Sequence, residues 1–221
     1  MRKNSGLLLV IQTALMAAII FVVTYLVRIP MPIASGGYLN IGDTPLYIAA
    51  YLLGGPAGAV AGAIGSAMSD LSAGYVIYAL PTAIIKGTMG FVCGTIMART
   101  RQKGEVHLPM QEQSGNNGGA DAEQKGTDHV YGQEHGRDNG GADAKPADSI
   151  AAKRGGLKRF ILASILGGAI MVGGYAIFET LFFNLNQALV TIPLNCVQWA
   201  GGVAAATALY PAARAVDRAL K

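Results

Sequence analysis

Apolar positions fall into long runs, separated by polar or glycine-rich breaks, one of them long. The runs cover residues 6–27, 44–68, 78–98, 157–183 and 189–213. A bilayer core about 30 Å thick is crossed by about 20 apolar residues in a helix, so each run has the length of a membrane span. The first is flanked by Arg2, Lys3 and Arg28. It is too long for a signal-peptide core and lacks a convincing cleavage site, so it reads as an anchor. The second is broken by Gly54-Gly55-Pro56, a strong turn signal, and reads either as one span or as two short ones.

The placement of charge decides between these. Of 17 Lys and Arg, two precede the first run, ten lie between Arg99 and Arg159, and three (Arg214, Arg218, Lys221) follow the last run. Only Arg28 and Lys86 lie elsewhere. With six spans the other 15 share one side of the membrane; with five they do not. The positive-inside rule therefore predicts an all-α membrane protein of six transmembrane helices, with both termini in the cytoplasm. The second span, about 43–53, is then short and must be tilted or buried among its neighbours.

Composition sharpens this picture. Of 221 residues, 52% are hydrophobic and 14% charged, and 30 are Gly; soluble domains carry about 25% charged residues. An ordinary soluble enzyme is excluded. So is a disulfide-stapled secreted domain, since Cys93 and Cys196 both sit in apolar runs. One membrane domain is expected, with helices 1–4 in residues 1–100 and helices 5–6 plus a tail in 157–221. Between them, 101–156 reads as a cytoplasmic insertion. It carries a tandem duplication of period 22, in which Asn117-Gly118-Gly119-Ala120-Asp121-Ala122 recurs as Asn139-Gly140-Gly141-Ala142-Asp143-Ala144. Such a repeat has nothing to bury and is expected to be disordered. His107, His129 and His135 all lie there and read as residues of a solvated linker rather than a metal site. The flanking Arg99, Arg101, Lys153, Arg154, Lys158 and Arg159 suit lipid head groups.

Several chemistries are missing. No G-x-x-x-x-G-K-[ST], H-E-x-x-H or C-x-x-C occurs, and no histidine lies in a span to activate a serine. Asp43 and Asp70 can be imagined as an aspartyl dyad, which needs two carboxylates sharing a proton; that reading is disfavoured. The chain is not read as an enzyme. No cofactor, metal or nucleic-acid partner is expected.

What remains is a set of polar residues at membrane depth. With six spans, Asp43 opens the second helix and Asp70 closes the third at the outer face. Tyr78, Thr82 and Lys86 fall at i, i+4 and i+8, one stripe of the fourth helix, with Lys86 about 12 Å along it. Tyr175 and Glu179 end the fifth; Asn195 and Gln198 begin the sixth, beside Trp199. Ionisable groups at this depth cost several kcal/mol unless paired or wet, and so mark function by default. Two readings of Lys86 stand: a structural ion pair with Glu179 or Asp70, or part of a water-accessible pocket for a small polar ligand. Tyr75, Tyr78 and Trp199 read either as pocket walls or as an interfacial aromatic belt. Small residues at four-residue spacing, Gly58-x-x-x-Gly62-x-x-x-Ser66 and Ala14-x-x-x-Ala18, allow close helix approach. Those of the first helix suit a partner-facing role, because that helix carries little else that is polar at depth.

Gly37-Tyr38-Leu39-Asn40-Ile41-Gly42-Asp43, Leu53-Gly54-Gly55-Pro56-Ala57-Gly58, Gly65-Ser66-Ala67-Met68-Ser69-Asp70 and Thr82-Ala83-Ile84-Ile85-Lys86-Gly87 together resemble the substrate-binding S component of energy-coupling-factor (ECF) vitamin transporters, of the riboflavin or hydroxymethylpyrimidine type. The resemblance is strongest over 36–98. It implies a six-helix bundle that captures a vitamin from outside. It implies as partners a transmembrane coupling subunit, contacted by Ala14 and Ala18, and two ATP-binding subunits. It also implies that the loop at about 30–42 acts as a lid. The substrate-binding residues expected are Asn40, Asp43, Asp70, Tyr75, Tyr78, Thr82, Lys86, Glu179, Asn195 and Gln198. An acid-rich pocket with one Lys and several aromatics suits a neutral or cationic heteroaromatic such as a pyrimidine, pyridoxine or a flavin. The alternative is a stand-alone proton-coupled carrier using Asp70, Lys86 or Glu179 as a relay, although the spans show no inverted repeat.

Overall fold

The computed structural model describes residues 5–30, 38–103 and 146–220, and the side chains of 6–30, 39–98 and 156–220. Among the described residues six helices run in sequence: α1 (Ser5–Leu26), α2 (Asp43–Leu53), α3 (Gly55–Ser72), α4 (Val76–Lys103), α5 (Pro146–Phe182) and α6 (Leu185–Ala219). Four contain stretches long and apolar enough to cross a membrane: Gly6–Leu26, Val76–Ala98, Gly156–Phe182 and Leu185–Ala219. The protein is an all-α membrane protein.

The break at Gly54 is a true helix end. Its φ of 83° is left-handed backbone that glycine adopts without penalty. Its N–H closes α2 on the Ala50 carbonyl at 3.0 Å, and Pro56 opens α3, where a missing N–H is harmless. At 11 residues, α2 is only about 16 Å long. Most of it is buried, including Asp43, Leu46, Tyr47 and Ala50, so it is held among the other helices rather than in lipid.

Glycines set the spacing of the bundle. A Cβ on Gly90 would stand 2.5 Å from the Gly58 carbonyl oxygen, and one on Gly94 would stand 2.4 Å from the Gly54 carbonyl carbon, so α3 and α4 touch backbone to backbone. Gly65 of α3 lies equally close to the Ala17 carbonyl oxygen of α1. The core built on this scaffold contains Ile20, Leu46, Tyr47, Met89, Met171 and Phe160. Large apolar side chains such as Leu8, Val10, Leu80, Ile84, Leu181 and Val197 point outward, as a lipid-facing surface requires.

Two features depart from the sequence reading. A short antiparallel strand pair, β1 (Arg28–Pro30) and β2 (Tyr38–Asn40), leads into α2, with Ile29 opposite Leu39. Three-residue strands carry too little alternation to be read in advance. The helices also run into both edges of the segment read as an insertion, α4 to Lys103 and α5 from Pro146. The duplication itself, and the disorder expected of it, fall mainly on 104–145, outside the described residues.

Candidate functional site

The site lies at one end of the bundle. The C-terminal ends of α1, α3 and α5 meet the N-terminal ends of α2, α4 and α6 there: short turns join α3 to α4 and α5 to α6, and the strand pair leads from α1 into α2. Twelve polar side chains converge there on a cavity of about 50 Å³: Thr24, Asn40, Ser66, Asp70, Tyr75, Tyr78, Thr82, Lys86, Tyr175, Glu179, Asn195 and Gln198. Nine of the ten residues expected to bind substrate are among them. The tenth, Asp43, is fully buried and does not line the cavity.

Lys86 forms an ion pair with Asp43. Neither Glu179 nor Asp70, the partners considered from the sequence, fills that role. The pair joins α4 to α2, and both side chains are almost wholly removed from solvent. Lys86 Nζ also lies 3.0 Å from Met171 Sδ and 5.9 Å from the centre of the Tyr175 ring. The ammonium thus meets a carboxylate, a soft sulfur and an aromatic face, which together replace much of the water it has lost.

The second oxygen of Asp43 accepts from Gln198 Nε2 at 3.2 Å. The carbonyl end of the same Gln198 accepts the backbone N–H of Asn40 at 3.0 Å. Asn40 Oδ1 in turn accepts the Gly42 N–H at 2.8 Å, just ahead of α2. A continuous polar chain therefore runs from Lys86 through Asp43 and Gln198 to strand β2.

Across the cavity, Thr82 and Tyr175 share a hydrogen bond of 2.9 Å. Glu179 accepts from the Thr191 hydroxyl. Tyr78 is buried and packs on Phe178 and Phe183, at ring separations of 5.3 and 6.0 Å, so it belongs to the interior rather than to an aromatic belt.

Trp199 corrects the sequence reading. It is neither a cavity wall nor a belt residue. It lies across Gly168 of α5, where an added Cβ would fall 1.7 Å from the indole, and it packs against the core. Three cavity residues were not assigned in advance. Tyr175 shares a stripe with Glu179, and that spacing was a usable signal. Thr24 and Ser66 gave only weak ones, a single hydroxyl near the end of α1 and one member of a small-residue row.

Ala14 and Ala18 are exposed. They line an apolar groove of about 680 Å³ between α1 and α3, with Leu9, Phe21, Val60 and Ile64 among its other walls.

The family model for the ECF-type riboflavin transporter S component matches residues 6–111. An uncharacterised protein from the gap 3′ region of Pyrococcus woesei is 46% identical over 87 residues, 39% of this chain and 57% of that protein. The thiamine precursor transporter HmpT of Lactococcus lactis subsp. cremoris (strain MG1363) is 32% identical over 81 residues, 37% of this chain and 49% of that protein. The chain spans about half the length of these curated relatives. The resemblance to ECF S components read from the motifs of the first four helices is borne out.

Proposed function

We propose, on the premise that residues 6–111 are those of an ECF-type S component, that this membrane protein is the substrate-binding subunit of an ECF-type ABC transporter. It captures a small water-soluble vitamin or precursor from outside for ATP-driven uptake by partner subunits. The observation that carries this reading is the convergence of twelve polar side chains on one cavity at one end of an apolar bundle. Burying that much polarity in a membrane is costly, and a ligand supplies the reason.

The class of substrate follows from the lining. Lys86 is already matched by Asp43, and the cavity also carries Asp70 and Glu179. The local balance is acidic, which suits a neutral or cationic heteroaromatic that presents hydrogen-bond donors. At about 50 Å³ the cavity is far below the roughly 300–1,000 Å³ of sites for drug-sized ligands. That supports a one-ring compound such as hydroxymethylpyrimidine or pyridoxine over a flavin. The thiamine-precursor specificity in the name of the Lactococcus relative points the same way.

The six helices span the membrane with both termini in the cytoplasm, so that the cavity opens outward. The apolar groove holding Ala14 and Ala18 receives the transmembrane coupling subunit, and two ATP-binding subunits supply the energy. Uptake in reconstituted vesicles tests this. Transport is expected only with the coupling and ATP-binding subunits and ATP present. Uptake by the chain alone, driven by a proton gradient, would contradict it and favour the proton-coupled carrier.

A further inference from the structure

We infer that Gln198 is a latch: it fastens the β1–β2 strand pair to the bundle and ties it to the Lys86–Asp43 pair. The side chain is 8% exposed, and both ends of its amide are engaged within the protein. Its oxygen accepts the Asn40 N–H at 3.0 Å. Its nitrogen donates to Asp43 Oδ2 at 3.2 Å and lies 3.5 Å from Met171 Sδ. A residue so fully used within the protein has little left to offer a ligand. Its position instead joins a short strand pair to packed helices. The strand pair has only three residues on each side, and an isolated two-stranded ribbon is barely stable alone. The Lys86–Asp43 pair is anchored in two packed helices.

The latch has a consequence for ligand entry. Asn40 lines the cavity and is half-buried at its edge. A ligand that needs more room than the cavity offers enters as β2 shifts, and β2 shifts only if the Gln198–Asn40 bond opens. A ligand that draws Lys86 toward itself also loosens Asp43 and, through it, Gln198. Occupancy and strand position are thereby joined through three side chains.

The first test needs no ligand. Amide hydrogen exchange at Asn40 is measured in the full chain in nanodiscs, for wild type, Gln198→Met and Gln198→Asn. Methionine keeps the volume and removes both hydrogen bonds. Asparagine keeps an amide one methylene too short to span from Asp43 to Asn40, and it guards against a folding failure of the first variant. Exchange at Asn40 is expected to be about five- to ten-fold faster in both, as befits two modest hydrogen bonds, with α3 and α4 amides unchanged. An unchanged Asn40 rate overturns the latch.

The second test rests on the proposed binding role. Hydroxymethylpyrimidine, pyridoxine and riboflavin are offered to each protein, and association and release rates are recorded. A latch predicts that both rates rise in the variants, because the strands open more often. A rise in release alone marks Gln198 as a ligand contact and overturns the proposal. Failure of all three probes to bind wild type counts against the proposed function, and the exchange experiment then decides the latch by itself.

Discussion

Lys86 and Asp43, 43 residues apart, form an ion pair inside the bundle, and their approach depends on the glycines between α3 and its neighbours. A Cβ on Gly62 would press at once on Leu46 of α2 and on the Lys86 carbonyl oxygen of α4, at 2.9 and 3.0 Å. The small-residue row of α3 thus brings the helices that carry the charges to within reach of each other.

The pair is expected to behave as a unit. Removing one charge strands the other in the interior, at a cost of about 3–5 kcal/mol. Lys86→Met should therefore unfold at markedly lower temperature in detergent. The double variant Lys86→Met with Asp43→Asn should be more stable than Lys86→Met alone, because no uncompensated charge remains. Simple additivity of the two losses would show that the residues are not coupled.

Gly168 and Trp199 give a test of the α5–α6 contact. Gly168→Ala places a Cβ where the indole lies, so the ring must move, at a cost of about 1–3 kcal/mol. Trp199 is the one tryptophan of the chain, and its emission should shift. Gly173→Ala meets nothing within 4 Å and should leave emission and stability unchanged. An unmoved spectrum in Gly168→Ala would contradict the packing.

The groove between α1 and α3 separates partner binding from ligand binding. Ala18→Phe fills part of the groove without touching the cavity. Co-purification with the coupling subunit should fall about ten-fold or more, as when an interface centre is disrupted, with ligand affinity unchanged. Equal losses of both would place Ala18 in general folding instead.

The proposed orientation is testable by labelling in a chain lacking Cys93 and Cys196. Cysteines replacing Ser72 and Asn186, both exposed at the cavity end, should react with a membrane-impermeant maleimide added outside intact cells. A cysteine replacing Arg218 should react only after the membrane is opened. The reverse pattern would invert the topology.

Much of this arrangement is legible along the chain because it is periodic or local. The helix end at Gly54 follows from a Gly-Gly-Pro break, and the Tyr78–Thr82–Lys86 stripe follows from 3.6 residues per turn. Nine cavity residues were found because polar groups in a membrane helix stand out against lipid-facing neighbours. The partner of Lys86 was not legible, since it depends on which helix the α3 glycines admit. Nor was the place of Trp199: an indole near a helix start suits a membrane interface equally well, until Gly168 opens a slot for it. The strand pair and Thr24 escaped for a simpler reason, because a three-residue strand and a single hydroxyl leave no repeating pattern.

The central claim is that the cavity around Lys86 holds a small heteroaromatic ligand. Mass spectrometry of whatever is released from the purified, denatured chain tests it most directly. The account predicts one small vitamin-like compound, near one per protein, that is absent from the folded Lys86→Met variant. A wild-type chain that releases no such compound, and binds none of the candidate vitamins when they are supplied, would contradict it.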